Sequence, residues 1–244
     1  MSLVGLIQEF DGKEIGEDRN GNPIHGKLLP GATKADLLEI ESLLPGPIPQ
    51  HIRDVLDTTR GLVPSLHMVD FTGLSLKDLV ETADLCPFGW PIAGDECGNF
   101  WVVDLLPNSK DWGPVYYLCH DPPVLVLQAQ KFEDFVAQLI AFARKEIDSP
   151  IERVHDKLAH RIYHENPNVQ SYEEAKQLVG DGQLSAFAAS LDKNYQFIDL
   201  RKARVGEGFS WGRYGPDTEL RRAGEDRIFA YKKKPGFWQK LFGG

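Results

Sequence analysis

The central part of the chain contains short apolar runs that are each bounded by Gly, Pro, Asp or Asn, a pattern typical of strands. Because most successive runs are joined by links of hairpin length, we expect a largely antiparallel sheet. The predicted strands lie near residues 66–71, 87–93, 99–105, 114–120 and 123–128.

Apolar positions at helical spacing predict helices on both sides of these strands. Thr33 followed by Asp36 predicts a capped helix start. A second helix is predicted to begin at Pro49 and to end at Gly61. A third, over residues 131–145, carries a broad apolar stripe that suits a helix covering one sheet face.

The chain after about residue 147 predicts a second, smaller α+β module. Ser149 and Pro150 open a helix that runs to about Tyr163. Further helices are predicted over 172–179 and 184–191, and strands over 196–200 and 227–231. At the other end, residues 3–10 are predicted to form a short strand before a Gly- and Pro-rich arm. We therefore expect a domain of residues 1–147 with an N-terminal arm, followed by a module of residues 148–244.

Composition adds a contrast in charge between these two parts. The 244 residues are 42% apolar, which is enough for a proper core, and carry a net charge of −9. Residues 1–147 hold 22 acidic and 11 basic residues, whereas residues 148–244 hold 14 and 16. An acidic protein is not expected to bind nucleic acid nonspecifically, and its acidic part favours basic partners.

The three cysteines, Cys86, Cys97 and Cys119, have unrelated spacings and predict neither a disulfide framework nor a metal knuckle. The N-terminal apolar run is too short for a signal peptide, and no later run approaches the roughly 20 apolar residues of a membrane span. These features predict a soluble cytoplasmic protein without a transmembrane segment.

Acidic residues gather around the predicted hairpin of residues 88–105. Asp95 and Glu96 lie at its tip, and Asp104, Asp111 and Asp121 lie nearby. They could form a cation or catalytic cluster, a solvated acidic surface, or a patch that faces a basic partner. The last interpretation requires no chemistry, and we select these five acids as candidate partner contacts.

Two tryptophans in the same region are further candidate partner contacts. Strand alternation puts Trp101 on the face opposite Phe100, Val102 and Asp104, so one of these sets should point away from the core. An exposed Trp101 would be a binding anchor, whereas a buried one would pack under the covering helix. Trp112 lies on a predicted loop, where we expect it to be exposed.

Asp156, His160 and His164 follow a spacing of four residues and would share one helix face, with His155 off that face. Two imidazoles and a carboxylate suit zinc, but the usual solvated polar face is the competing interpretation. Cys119 and His120 would point to opposite sides of a strand and could not readily act as a nucleophile and base. Because no catalytic constellation is complete, we expect neither an enzyme nor a cofactor.

The C-terminal stretch combines Lys232, Lys233 and Lys234 with a short apolar segment. It could contact an acidic membrane surface or an acidic partner, or dock on the acidic first domain. Alternatively, its apolar residues could close the core of the second module; these are Phe237, Trp238, Leu241 and Phe242.

Three segments in a fixed order carry a family resemblance. They are Ile48-Pro49 with its helix closed by Gly61, the Gly94-Asp95-Glu96-Cys97-Gly98 turn with the strand to Asp104, and Lys131-Phe132-Glu133-Asp134-Phe135. This order resembles the SUKH superfamily, the SMI/KNR-type domain, over about residues 30–145. The resemblance implies an α+β fold with a mostly antiparallel sheet covered by helices.

The resemblance also implies a protein-binding module. Bacterial members look like immunity proteins that neutralise a cognate toxin, and fungal relatives are scaffolds tied to cell-wall synthesis and signalling. We therefore expect an immunity protein whose acidic hairpin occludes a basic toxin domain. The alternatives are a regulatory scaffold of the cell-wall type and an uncharacterised metal-dependent enzyme centred on Asp156, His160 and His164.

Overall fold

The computed structural model describes residues 2–64, 66, 68–73, 84–107, 109, 111–146, 148–178 and 181–234. The N-terminal half contains, in chain order, α1 (Leu3–Phe10), β1 (Glu14–Glu17), β2 (Pro23–His25), β3 (Lys27–Leu28), α2 (Lys34–Leu43), α3 (Gln50–Thr58), β4 (Leu62–Val63), β5 (Met68–Val69), β6 (Gly89–Gly94), β7 (Phe100–Asp104) and β8 (Val115–His120). It is followed by β9 (Pro123–Ala129), α4 (Phe132–Ala143), α5 (Pro150–Glu152), a π-helical segment (Arg153–Leu158), α6 (Ala159–Glu165), α7 (Tyr172–Gln177), α8 (Gly182–Ala189), β10 (Gln196–Asp199), β11 (Gly208–Phe209), β12 (Thr218–Arg222) and β13 (Ile228–Lys233).

The main sheet of the described residues has six strands in the order β11-β9-β8-β7-β6-β5, and all neighbours are antiparallel. The five strands predicted in the central region are therefore confirmed. The sixth strand comes from the C-terminal part of the chain, where Gly208 pairs with Val126 and Phe209 with Leu125. A second sheet, in the order β10-β13-β12, lies wholly within that part. The expected α+β fold class is confirmed.

One face of the main sheet, the helix face, packs against the helices. Trp101, Val103 and Tyr117 join its core from the strands, and residues of α3, α4 and the helix that begins at Pro150 complete it. The predicted cap of α2 is present, because the Thr33 hydroxyl accepts the Asp36 N–H and the Asp36 carboxylate accepts the Thr33 N–H. Local cap chemistry and the apolar stripe of α4 thus place α2 and α4 where the sequence predicted helices.

The opposite, C-terminal face of the main sheet is also buried. Phe100, Val102 and Tyr116 pack there against side chains of the C-terminal part, including Phe209 and Phe229. The expectation that one set of alternating side chains points away from the core is therefore wrong. A sheet that is covered on both faces has apolar residues on both sides of each central strand.

Residues 3–10 form a helix, so the strand predicted there is wrong. The Ser2 hydroxyl accepts the Gly5 N–H and caps the helix. Ile7 and Phe10 are fully buried, and their three-residue spacing puts them on one face of the helix. An apolar run this short is compatible with either a helix or a strand.

The helix predicted after Pro150 is present but contains the π-helical segment Arg153–Leu158. Within the described part of the chain, no helix is long and apolar enough to cross a membrane. The apolar tail residues Phe237, Trp238, Leu241 and Phe242 lie outside the described residues. The boundary predicted near residue 147 stays a prediction.

Candidate functional site

The tip of the β6–β7 hairpin is organised by the Asp95 carboxylate. It accepts the backbone N–H groups of Cys97 (2.8 Å) and Asn99 (3.1 Å) and the Asn99 side-chain amide (2.7 Å). The turn also places Glu96 in the left-handed region, at φ 63°. Although burial alone would raise the pKa of Asp95, these hydrogen bonds and the one from His155 lower it below its ordinary value. Asp95 is therefore a structural residue of the turn as well as a source of negative charge.

His155, from the π-helical segment, connects the hairpin tip to the helix after Pro150. Its Nε2 lies 3.3 Å from the Asp95 carboxylate, and its Nδ1 contacts the carboxylate of Asp156. The imidazole stacks over the Trp101 indole, with ring centroids 6.2 Å apart and planes at 17°. The position of the Trp101 ring is fixed by a hydrogen bond, because its Nε1–H donates to Gln128 Oε1 at 3.0 Å. The His155 imidazole thus lies between the carboxylates of Asp95 and Asp156 and stacks on the Trp101 ring.

A cavity of about 340 Å³ opens beside His155. Its apolar wall is formed by Leu66, Trp101, Phe142 and Ile151, and its polar lining by Asp95, Cys97, Glu152, His155 and Asp156. None of these described lining residues is Lys or Arg, so three carboxylates set the charge. Cys97 is exposed at this cavity, whereas Cys86 and Cys119 are buried. We call this feature the acidic cavity.

Three residues selected from the sequence meet at the acidic cavity: Asp95, Trp101 and Asp156. Trp101 is fully buried, so the possibility that it is an exposed anchor is excluded, and it contributes to the cavity wall instead. Glu96 is exposed on the hairpin tip. Asp121 is exposed in the neighbouring β8–β9 turn. This turn is linked to the hairpin tip by a hydrogen bond of 3.0 Å from the His120 N–H to the side-chain oxygen of Asn99.

Asp104 is not a surface residue, so its selection as a partner contact is wrong for this conformation. Its side chain is 1% exposed and forms a bidentate ion pair with Arg222, with N–O distances of 2.8 and 2.9 Å. Arg222 belongs to β12, and its own side chain is 4% exposed. The C-terminal part of the chain therefore covers Asp104 and supplies its counter-charge.

The expected exposure of Trp112 is also wrong, since only 2% of this residue is exposed. Its ring packs edge-on against Phe132, with centroids 5.6 Å apart, and its carbonyl accepts the Phe132 N–H at 2.9 Å. The loop is thereby fastened to the start of α4. Asp111, the adjacent residue, accepts the Trp112 N–H at 2.9 Å and contacts His51 at the same distance.

The zinc group suggested for Asp156, His160 and His164 is not assembled. Asp156 pairs with His155, and both His160 and His164 are exposed. A π-helical segment has a wider turn than an α-helix, so the four-residue spacing no longer keeps Asp156 on the face that His160 and His164 share in α6. Among the described residues, the group with donor atoms close enough to share a metal ion is His51, Asp111 and Glu133, which also form ion-pair contacts.

Cys119 and His120 lie on opposite sides of β8, as strand alternation predicts. Cys119 is buried and His120 is exposed, and burial raises the pKa of the Cys119 thiol. Cys119 is therefore a small buried side chain without an adjacent imidazole base from His120.

Sequence reasoning missed Glu152 and set His155 aside as lying off the selected helix face. Their role depends on a contact between the hairpin tip and a helix about 60 residues later, which no local pattern reveals. The adjacent His155-Asp156 pair on a helix was the available signal, because a carboxylate beside an imidazole can orient it.

Comparison with known proteins identifies the first part of the chain. Residues 31–138 match the model of the SMI1 / KNR4 family (SUKH-1). No curated protein and no solved structure matches the chain. The matched residues include the hairpin tip but not Glu152, His155 and Asp156, so the acidic cavity is built from residues inside and outside the match. The resemblance predicted from the sequence is confirmed, because residues 31–138 are similar to the SMI1 / KNR4 family (SUKH-1).

Proposed function

We propose that the protein is an immunity protein, a non-catalytic module that binds a cognate toxin in the cytoplasm and occludes its basic active site. The match to a family of immunity and regulatory type is the observation that carries this proposal. Fold resemblance alone does not assign a function, so the binding surface must supply the rest of the argument.

The surface that best supports the proposal is the acidic edge, which we define as Asp95, Glu96, Asp121, Glu152 and Asp156. These residues belong to the hairpin tip, the adjacent β8–β9 turn and the acidic cavity. Carboxylates concentrated on one edge accelerate encounter with a basic partner and disfavour acidic ones. A nuclease toxin, which must hold phosphates with basic side chains, is the class of partner that fits.

The test uses the full-length protein and, as the candidate toxin, a modular toxin domain encoded by a neighbouring gene. Association is measured at two salt concentrations, and rescue of growth is measured on co-expression. Asp121→Lys combined with Asp156→Lys should slow association by about tenfold or more at low salt and by less at high salt. Asp95 is left unchanged, because replacing it would break the turn.

Glu173→Lys combined with Glu39→Lys is the matched control, since both residues are exposed and neither lines the acidic cavity. This control should retain most of the association rate. Equal slowing by both pairs would show that only net charge matters and would contradict the acidic edge as the contact. Absence of any toxin binding, together with specific binding to a cell-wall or signalling protein, would favour the regulatory scaffold.

A further inference from the structure

We propose that the acidic cavity receives one cationic side chain, a lysine or an arginine, from the bound protein partner. This inference rests on the proposed function, because it assumes that the partner is a protein that docks on the acidic edge. It goes further by assigning one pocket and one type of anchor residue.

The shape and lining of the cavity suit a long side chain with an apolar stem and a charged head. Its volume of about 340 Å³ can hold one such side chain. Leu66, Phe142 and Ile151 offer an apolar wall for the methylene groups. Lys and Arg commonly place their stems on apolar surface while the charged head reaches polar groups.

The three carboxylates have different roles in this arrangement. Both Asp95 oxygens already accept hydrogen bonds, and the side chain is only 9% exposed, so Asp95 contributes negative potential rather than a direct bond. Glu152 is exposed, and within the described part of the chain its carboxylate forms no hydrogen bond or ion pair. Asp156 is 61% exposed and shares one oxygen with His155. Glu152 and Asp156 are therefore the groups that would bind the incoming cation.

Cys97 allows the potential in the cavity to be measured without the partner. It is the exposed thiol of the three and lines the cavity. Two methanethiosulfonates are compared, the cationic trimethylammonioethyl reagent and the anionic sulfonatoethyl reagent. Each transfers its thioalkyl group to the Cys97 thiolate and releases methanesulfinate. Because both consume the same thiolate, the ratio of their rates is independent of the thiol pKa.

We measure the ratio of the cationic to the anionic reaction rate, both for Cys97 and for free glutathione. At low salt we expect this ratio to be about fivefold or more higher for Cys97 than for glutathione. The Glu152→Gln, Asp156→Asn double variant should lose most of this preference. Glu173→Gln combined with Glu39→Gln, which removes the same charge elsewhere, should keep it. A ratio equal to that of glutathione, or equal losses in both double variants, would overturn the proposal.

Occupancy is tested by tethering a lysine mimic. Aminoethyl methanethiosulfonate leaves a short ammonium chain on Cys97, and the sulfonatoethyl reagent leaves an anionic chain at the same position. The aminoethyl protein should have the higher Tm, and the difference should shrink in the Glu152→Gln, Asp156→Asn variant. Equal Tm values for the two labelled forms would overturn the proposal.

The outcomes separate the cavity from the proposed function. A lost reagent preference together with a toxin association that still depends on Asp121 would overturn the cavity proposal alone. A retained preference and Tm difference, with no neighbouring toxin bound, would support the cation site and overturn the immunity function.

Discussion

The two ends of the β6–β7 hairpin carry the same residue type in different settings. At one end Asp104 is sealed under the C-terminal part of the chain and is neutralised by Arg222. At the other end Asp95 holds a turn beside an open cavity, where the C-terminal part contributes a histidine and two further carboxylates. The difference teaches that coverage by a distant segment, and not the hairpin sequence, decides which of the two aspartates is buried and which lies at an open cavity.

Removing residues 148–244 takes away the contacts at both ends of the β6–β7 hairpin, and we expect it to reduce stability more than any other change proposed here. The truncation takes away Arg222 and His155 and uncovers the C-terminal face, including Phe100, Val102 and Tyr116. We expect residues 1–147 alone to lose cooperative unfolding and to aggregate, as judged by urea denaturation and size-exclusion chromatography. A monomeric fragment with a sharp unfolding transition would instead support the independent domain predicted from the sequence.

Arg222→Met breaks only the sealed end. Removing Arg222 takes both charged hydrogen bonds from the buried Asp104 and leaves only the more distant Arg227, whose Nε lies 3.8 Å from the carboxylate. We therefore expect the free energy of unfolding to fall by about 3 kcal/mol in urea denaturation. The double variant Asp104→Leu, Arg222→Met removes both charges and should recover much of this loss. If the single and double variants were equally unstable, packing rather than the stranded charge would explain the effect.

Asp95→Ala weakens the open end, because it leaves the backbone N–H groups of Cys97 and Asn99 without their acceptor. The expected loss in the free energy of unfolding is about 1–3 kcal/mol, measured by the same denaturation. Asp95→Asn keeps a side-chain oxygen at the turn and should lose less. A larger loss in the Asn variant would contradict the role of Asp95 as an acceptor.

The pH dependence of Asp95 is a smaller effect. Its pKa is lowered in the folded protein, so its ionised form adds stability above the ordinary value of 3.8, and this contribution is lost as the pH falls through the folded value. The stability difference between the wild type and Asp95→Asn should therefore narrow below pH 3.8. A difference that is constant across this range would show that the charge of Asp95 is not linked to folding.

Asp156→Asn should have the smallest effect on folding. The side chain is 61% exposed, and substitutions at such positions commonly change stability by no more than about 0.5 kcal/mol. Association with the proposed toxin partner should nevertheless slow measurably at low salt. A change in unfolding free energy as large as that of Asp95→Ala would show that the His155 contact is structural.

Much of the fold could be predicted because its signals are local. The Thr33–Asp36 cap, the Pro49 helix start and the apolar stripe of α4 each act over a few residues. The five central strands were also predictable, because turn residues bound each of them. The short strands β1 to β4, β11 and β12 were not predicted. By contrast, Leu3–Phe10 is too short for its apolar spacing to separate a helix from a strand, and the Ser2 cap that fixes the helix was found in the structure.

The candidate site was less predictable, because burial depends on distant parts of the chain. The exposures of Asp104, Trp101 and Trp112 follow from coverage by Arg222, α4 and the helix after Pro150. One local signal was available: Phe100–Val103 is apolar at consecutive positions rather than alternating, which is typical of a strand buried on both faces. That pattern would have cast doubt on Asp104 as a surface residue, but it could not identify Arg222.

The strands at the two sides of the main sheet, Met68–Val69 and Gly208–Phe209, each span two residues within the described chain. A strand of another copy could pair with either of them over only a short length. Because long exposed strand edges are templates for intermolecular sheet growth, these short edges limit edge-to-edge aggregation. The main sheet is therefore protected from joining the main sheet of a second copy, even when the protein is present at high concentration.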